Sequence, residues 1–280
     1  MDASETRRGR PCWYKVENFG NAAFNDALLL ESSIYQLIKK HFRTKPYYAD
    51  ILEIFHDVNY KTVFGQSFDT RTGLERQMDK LVYLLTAHEN LNFLIIYYCC
   101  VLRTVFTITG YLLSYTIQRY SAIVKYKTSY YSFCLPVSLA MGMTGINDAL
   151  RRQQAEDVLL KMGHFFQVQD DFLDCFGDEE VTGKIGTDIQ DCKCSWLFVK
   201  AMEKASSEQK QVLKANYGQH SPEKIQKVKE LYMELKIPDS YAEYEENAYK
   251  SICSEIEKMA EGLPKKFFYD MVDKIYKRSS

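Results

Sequence analysis

The chain has 280 residues, 46% of them hydrophobic and 26% charged, with only 6 Pro and 13 Gly. That length carries one large domain with a substantial core, and the composition excludes a disordered or low-complexity polymer. Lys+Arg 36 against Asp+Glu 37 leaves a formal charge of −1, which excludes a nucleic-acid binder relying on bulk positive charge.

The start, Met1-Asp2-Ala3-Ser4-Glu5-Thr6-Arg7-Arg8, has no apolar stretch of the kind a cleaved secretion signal needs. The 8 cysteines (Cys12, Cys99, Cys100, Cys134, Cys175, Cys192, Cys194 and Cys253) are irregularly spaced and form no Cys-x-x-Cys pair. A structural zinc module is excluded, and free thiols in a reducing, intracellular compartment are expected, with the cytoplasm as default.

Helical periodicity dominates from there on. Between Asn21 and Arg43, Phe24, Leu28, Ile34, Tyr35, Ile38 and Phe42 recur at three- and four-residue steps. Such spacing predicts a helix with one buried stripe. Leu91 to Tyr115 breaks the pattern, being apolar all round with Arg103 as its one charge. A bilayer span takes ~20 apolar residues, but a mid-span Arg costs ~2.5–3.5 kcal/mol on insertion scales. A membrane span there is disfavoured against a buried extra helix or, the preferred reading, a foreign insertion. Val158 to Phe176 resumes the helical pattern with Leu159, Met162, Phe165, Phe166, Phe172 and Leu173. Near the end, Pro264 suits a first helical position, ahead of an apolar face of Phe267, Phe268, Met271, Val272 and Ile275. Alternating strand patterns with hairpin turns are missing, so the expectation is a single, nearly all-α domain.

Chemistry concentrates in Asp170-Asp171-Phe172-Leu173-Asp174. On a helix, Asp170 and Asp174 lie one turn apart on one face, with Asp171 beside them. Carboxylates this close repel one another unless a cation neutralises them. Hard oxygen donors favour Mg²⁺, an ion that keeps several waters and bridges to substrate phosphates. The alternative, a solvated acidic face, fits poorly with Phe165, Phe166, Phe172 and Leu173 around the acids. Cations suited to phosphate recur at Arg7-Arg8, Lys125-Tyr126-Lys127-Thr128, Gly183-Lys184-Ile185-Gly186-Thr187-Asp188, Lys193 and Lys277-Arg278. The Gly-Lys-Ile-Gly-Thr run lacks P-loop spacing. Taken singly each cation reads as surface charge; together with the acids they point to a metal–diphosphate site.

These blocks resemble the eukaryotic farnesyl diphosphate synthases, trans-isoprenyl diphosphate synthases. The likeness runs through Thr6-Arg7-Arg8-Gly9-Arg10-Pro11-Cys12-Trp13, Asn25-Asp26-Ala27, Phe64-Gly65-Gln66, Ile123 to Thr128, and Phe165 to Asp174. It continues through Gly183 to Asp188, Cys194-Ser195-Trp196, and Lys274 to Arg278. The resemblance implies an all-α isoprenoid synthase-type helical bundle around a central cavity, working as a homodimer on prenyl diphosphates with Mg²⁺, three ions in all. It assigns Asp170, Asp171 and Asp174 to metal binding, with Asp188 and Lys193 next to the metal and diphosphate. Arg7, Lys127 and Lys184 match groups on the allylic diphosphate, and Gln66 belongs to the substrate-binding set. Arg8 matches a ligand of isopentenyl diphosphate and Arg278 a residue closing over it. Lys127, Thr128 and Gln167 match the positions along the developing allylic cation.

Two departures qualify the likeness. The family carries an earlier Asp-Asp-x-x-Asp motif, of which only Asp2 can match here, so metal binding from that side is expected to be weakened. The reading is therefore one domain over 1–280, incomplete at its N-terminus and bearing an atypical insertion at 90–114. Joining Glu89 to Tyr115 would restore a family-like length. Prenyl transfer to farnesyl diphosphate is the leading function. A terpene synthase derived from the family, or a non-catalytic paralogue acting as a dimer partner, are the alternatives.

Overall fold

The computed structural model describes residues 5–7, 9–16, 19–85, 115–183 and 185–278, with the side chains of 73–85 left aside. Helices α1 (Ala22–Phe42) and α2 (Tyr48–Leu85) come first, followed by α3 (Ile117–Val124) and a π-helix, Lys125–Cys134. Then come α4 (Leu135–Met143), α5 (Ala149–Phe176), the single turn α6 (Glu179–Thr182) and α7 (Trp196–Lys204). The chain closes with α8 (Ser207–Asn216), α9 (Pro222–Glu234), α10 (Ile237–Glu257) and α11 (Lys265–Ile275). Among the described residues the only sheet is a two-residue antiparallel ladder, β1 (Thr6–Arg7) with β2 (Arg10–Pro11). Backbone polarity in so apolar a chain is satisfied locally, by helices.

α5 is the spine. Asp148 caps its start by accepting from the Arg151 amide at 2.9 Å, and its far end stops at Gly177. Its first half buries Leu159, Met162 and Phe165 against Ile252, Ile256, Phe268 and Val272 of α10 and α11. Its second half sends Val168 and Cys175 into a separate cluster with Trp196, Phe198, Tyr217, Tyr232 and Ile237. The acidic sequence therefore sits on a helix anchored at both ends of the core.

The π-helix is wedged between two glycines. A Cβ on Gly65 of α2 would meet the Lys127 backbone nitrogen at 2.3 Å, and one on Gly163 of α5 would meet Ser129 Oγ at 2.4 Å. Only hydrogen at those positions lets three backbones approach so closely. Wide π-helical turns are rare and gather at functional sites, and this one carries Lys127 and Thr128.

Three expectations need correction. The helix expected over 21–43 forms, but its apolar stripe is mostly open: Phe24 is 67% exposed and Leu28 62%, and only Ile38 is buried. Periodicity marks a face that needs cover; no described element covers it. Pro264 is the N-cap of α11 rather than its first residue, because its ψ of 78° lies outside the helical range. Phe267, placed on the apolar face of that helix, is 44% exposed, while Phe268 and Val272 supply the buried side.

Among the described residues no two cysteines are joined by a disulfide. The insertion and the membrane alternative fall on residues outside the described ones, apart from Tyr115. That residue is buried, its ring edge-on to Phe198 at 4.8 Å and its hydroxyl donating to the Cys192 carbonyl at 3.1 Å. Among the described residues no helix is long and apolar enough to cross a membrane.

Candidate active site

The site assembles where α2, the π-helix, α5, the loop after α6 and the end of the chain meet. Thr128, buried on the π-helix, donates its hydroxyl to Gln167 Oε1 across the gap to α5 at 2.7 Å. The amide nitrogen of Gln167 then donates to Asp171 Oδ1 at 2.9 Å and to Asp170 Oδ2 at 3.3 Å. The second oxygen of Asp171 accepts from the backbone amide of Trp196 at 2.7 Å, at the first turn of α7. This line of bonds fixes which end of the Gln167 amide faces Thr128.

The three acids of α5 consequently differ. Asp171 is buried and turned into the protein, bound to Gln167 and to α7, whereas Asp170 and Asp174 remain half-exposed one turn apart. Burial pushes the Asp171 carboxyl above the usual range, and the bonds from Gln167 and Trp196 act in the opposite direction. Asp174 Oδ2 accepts from the backbone amide of Asp188, which draws the loop onto α5 at 3.0 Å. Asp188 is pushed well up, first by burial, then by the repulsion of Asp174, Asp171 and Asp170, with Lys127 opposing. Four carboxylates thus press on one another at one end of α5.

Among the described residues no cluster of His, Cys, Asp or Glu closes on a single point as a metal cage does. The donor set nevertheless fits Mg²⁺, which binds one or two protein carboxylates and completes its octahedron with water and phosphate. Asp170 and Asp174, with Asp188 behind them, make such an open array, and their mutual repulsion is what a cation would relieve.

Cations stand on the rim. Lys127 Nζ and Lys193 Nζ each lie 2.8 Å from the same oxygen of Asp69, a buried residue of α2. Asp69 is not legible in the sequence, since it is one of several acids scattered along α2 and carries no pattern of its own. Gln66 lies one turn earlier on α2 and donates to Thr70 Oγ1 at 3.3 Å. At the chain's end, Arg278 lies over the Phe166 ring at 3.8 Å and donates to Gln169 Oε1 and the Phe166 carbonyl, both at 3.3 Å. Burial lowers its proton affinity, and Asp170 and Tyr241 act against that.

Arg7 is exposed on β1, apart from these bonds, though the turn beside it is tied in: the Gly9 amide donates to the Gly183 carbonyl at 3.0 Å. That bond brings the hairpin to Gly183, the C-cap of α6. Asp2, Arg8 and Lys184 lie outside the described residues.

A helical bundle with acids on a central helix, facing lysines and a chain-terminal arginine, is the architecture of the isoprenoid synthase class. The polyprenyl synthetase family model matches residues 1–106 and 107–235. The chain is 44% identical to the farnesyl pyrophosphate synthase of Gallus gallus over 278 residues, covering 99% of this chain and 67% of that protein. To the Bos taurus farnesyl pyrophosphate synthase it is 45% identical, again over 99% of this chain and 70% of that protein. In three dimensions it resembles the T. brucei farnesyl diphosphate synthase complexed with risedronate, with a TM-score of 0.82 and 34% identity. That match covers 100% of this chain and 73% of the other. The chain belongs to the polyprenyl synthetase family.

Proposed function

We propose that this chain condenses isopentenyl diphosphate with dimethylallyl or geranyl diphosphate, giving farnesyl diphosphate. The observation that carries the reading is the run Thr128–Gln167–Asp171, set between the Asp69-bound lysines on one side and Arg278 on the other. Identity to farnesyl pyrophosphate synthases across nearly the whole chain supports it.

The chemistry follows from the residues. The allylic C–O bond breaks, leaving pyrophosphate with the bonding electrons and a delocalised carbocation. Lys127, Lys193, Arg7 and Lys184 are assigned to the diphosphate, where positive charge stabilises the leaving group as its own charge grows. Mg²⁺ held by Asp170 and Asp174, with Asp188 beside them, would add Lewis-acid stabilisation of those oxygens; Asp2 is assigned to the metal by resemblance, the family's three ions being the expected number. Thr128 and Gln167 present hydroxyl and carbonyl oxygens along the path of the cation, stabilising it without a nucleophile strong enough to trap it. Asp171 works through Gln167, holding its amide in one orientation. Arg8 and Arg278 take the diphosphate of isopentenyl diphosphate, whose alkene attacks the cation, and loss of a proton to the departed pyrophosphate completes the step. Gln66 belongs to the wall beside Lys127, where α2 touches the π-helix at Gly65.

The open face of α1, with Phe24, Leu28, Leu29 and Leu30 each more than 60% exposed, supports burial against a second copy of the chain. We read 1–280 as one domain with an insertion at 90–114, acting in the cytoplasm. The test is product analysis after incubation with isopentenyl and dimethylallyl diphosphates, with and without Mg²⁺. A farnesyl product supports the proposal, and prenyl diphosphate cleavage without elongation, or inertness of the folded protein, contradicts it.

A further inference from the structure

The bifurcated ion pair at Asp69 has a place in the prenyl transfer proposed above, and its role rests on that reading. We propose that Asp69 is a positioning residue that sets Lys127 and Lys193 as one preformed clamp for the transferred diphosphate. Both ammonium groups approach a single carboxylate oxygen at 2.8 Å, although the lysines lie 58 and 124 residues further along the chain. The three side chains are 5%, 27% and 12% exposed for Asp69, Lys127 and Lys193 respectively. Two partly buried ammonium groups this near each other repel strongly, and the shared carboxylate offsets that repulsion where they meet. Within the trio two cations meet one anion, a local positive surplus that the nearby Asp188 partly offsets, and its geometry is fixed before an anion arrives.

Geometry and charge make opposite predictions for Asp69→Asn. The substitution keeps the shape, removes the counter-charge and raises the positive potential around the lysines. Affinity for inorganic pyrophosphate is expected to stay the same or tighten, whereas the lysines lose their shared anchor and alignment with the leaving group. A misplacement of about 1 Å can cost roughly 100-fold in rate. We therefore expect kcat to fall by about 100-fold, with KM for the allylic diphosphate changing less than about 3-fold.

The kcat is normalised to sites counted by pyrophosphate titration, so partial unfolding does not imitate the effect. An unchanged normalised kcat overturns the inference, and so does a weakening of pyrophosphate affinity in parallel with kcat. Should the Asn protein fail to fold, Asp69→Glu retains the charge but moves it by one methylene. A reduced kcat at unchanged pyrophosphate affinity then supports the role, and wild-type kcat removes it. The titration needs no turnover. If the wild type forms no prenyl product, the proposed reaction fails; the clamp then stands where Asp69→Asn tightens pyrophosphate binding and falls where affinity is unchanged or weaker. Wild-type farnesyl formation that is undiminished in Asp69→Asn sinks the clamp alone.

Discussion

Gly65 of α2 and Lys127 of the π-helix touch backbone to backbone, with 2.3 Å between the Lys127 nitrogen and the point where a Cβ would stand on Gly65. The glycine allows the two elements to close, and closure brings Asp69, one turn further along α2, to Lys127. Nothing flexible lines the contact, so a side chain there displaces a backbone. Gly65→Ala is expected to destabilise the fold by about 1–3 kcal/mol, the usual cost of overpacking. It should also lower activity more than stability alone explains, because Lys127 moves. Denaturant unfolding alongside kcat for the same variant checks both halves.

Thr128→Val retains the volume and removes the hydroxyl that donates to Gln167 at 2.7 Å. Gln167 Oε1 loses this partner, at a cost of about 1–3 kcal/mol where no water replaces it. If the oxygens of Thr128 and Gln167 stabilise an allylic cation, kcat falls by at least about 10-fold for a loss of roughly 1.4 kcal/mol in the transition state. KM should change little, since neither group is assigned to the diphosphate. Steady-state kinetics with dimethylallyl and geranyl diphosphates measure the split.

His164 sits behind the site on α5, its Nδ1 2.8 Å from the Tyr244 hydroxyl and its Nε2 3.3 Å from Ser121 Oγ. Burial lowers its pKa from 6.5 to about 4, so the ring is neutral in the native protein at neutral pH. As pH falls below 6.5 the unfolded chain takes up the proton and the native state does not until about pH 4. Stability is therefore lost across that window, by up to about 3 kcal/mol at its acid end. His164→Gln should flatten this slope between pH 6.5 and 4, and nuclear magnetic resonance should show the His164 ring untitrated above pH 5.

How far the sequence discloses this site depends on whether the relation is local. Asp170 and Asp174 share a face because helical spacing alone dictates it, and the apolar residues around them locate the helix in the core. Asp171 reads equally as a third ligand, yet it turns toward the Trp196 amide, a contact made only when α7 docks. Asp69 is invisible for the same reason: its partners come from the π-helix and a distant loop. The π-helix leaves no trace in apolar spacing, since Lys125 to Cys134 alternates too many polar and aromatic residues to mark a period. On α1 the error runs the other way, because a stripe of Phe24, Leu28 and Ile34 states a need for cover without identifying what meets it.

If the acids of α5 hold a divalent ion against pyrophosphate, calorimetric titration of pyrophosphate with and without Mg²⁺ tests it most directly. Binding should require Mg²⁺ and weaken by at least about 10-fold, roughly 1.4 kcal/mol, in Asp170→Asn and in Asp174→Asn. Tight pyrophosphate binding that ignores both the ion and these substitutions would contradict it.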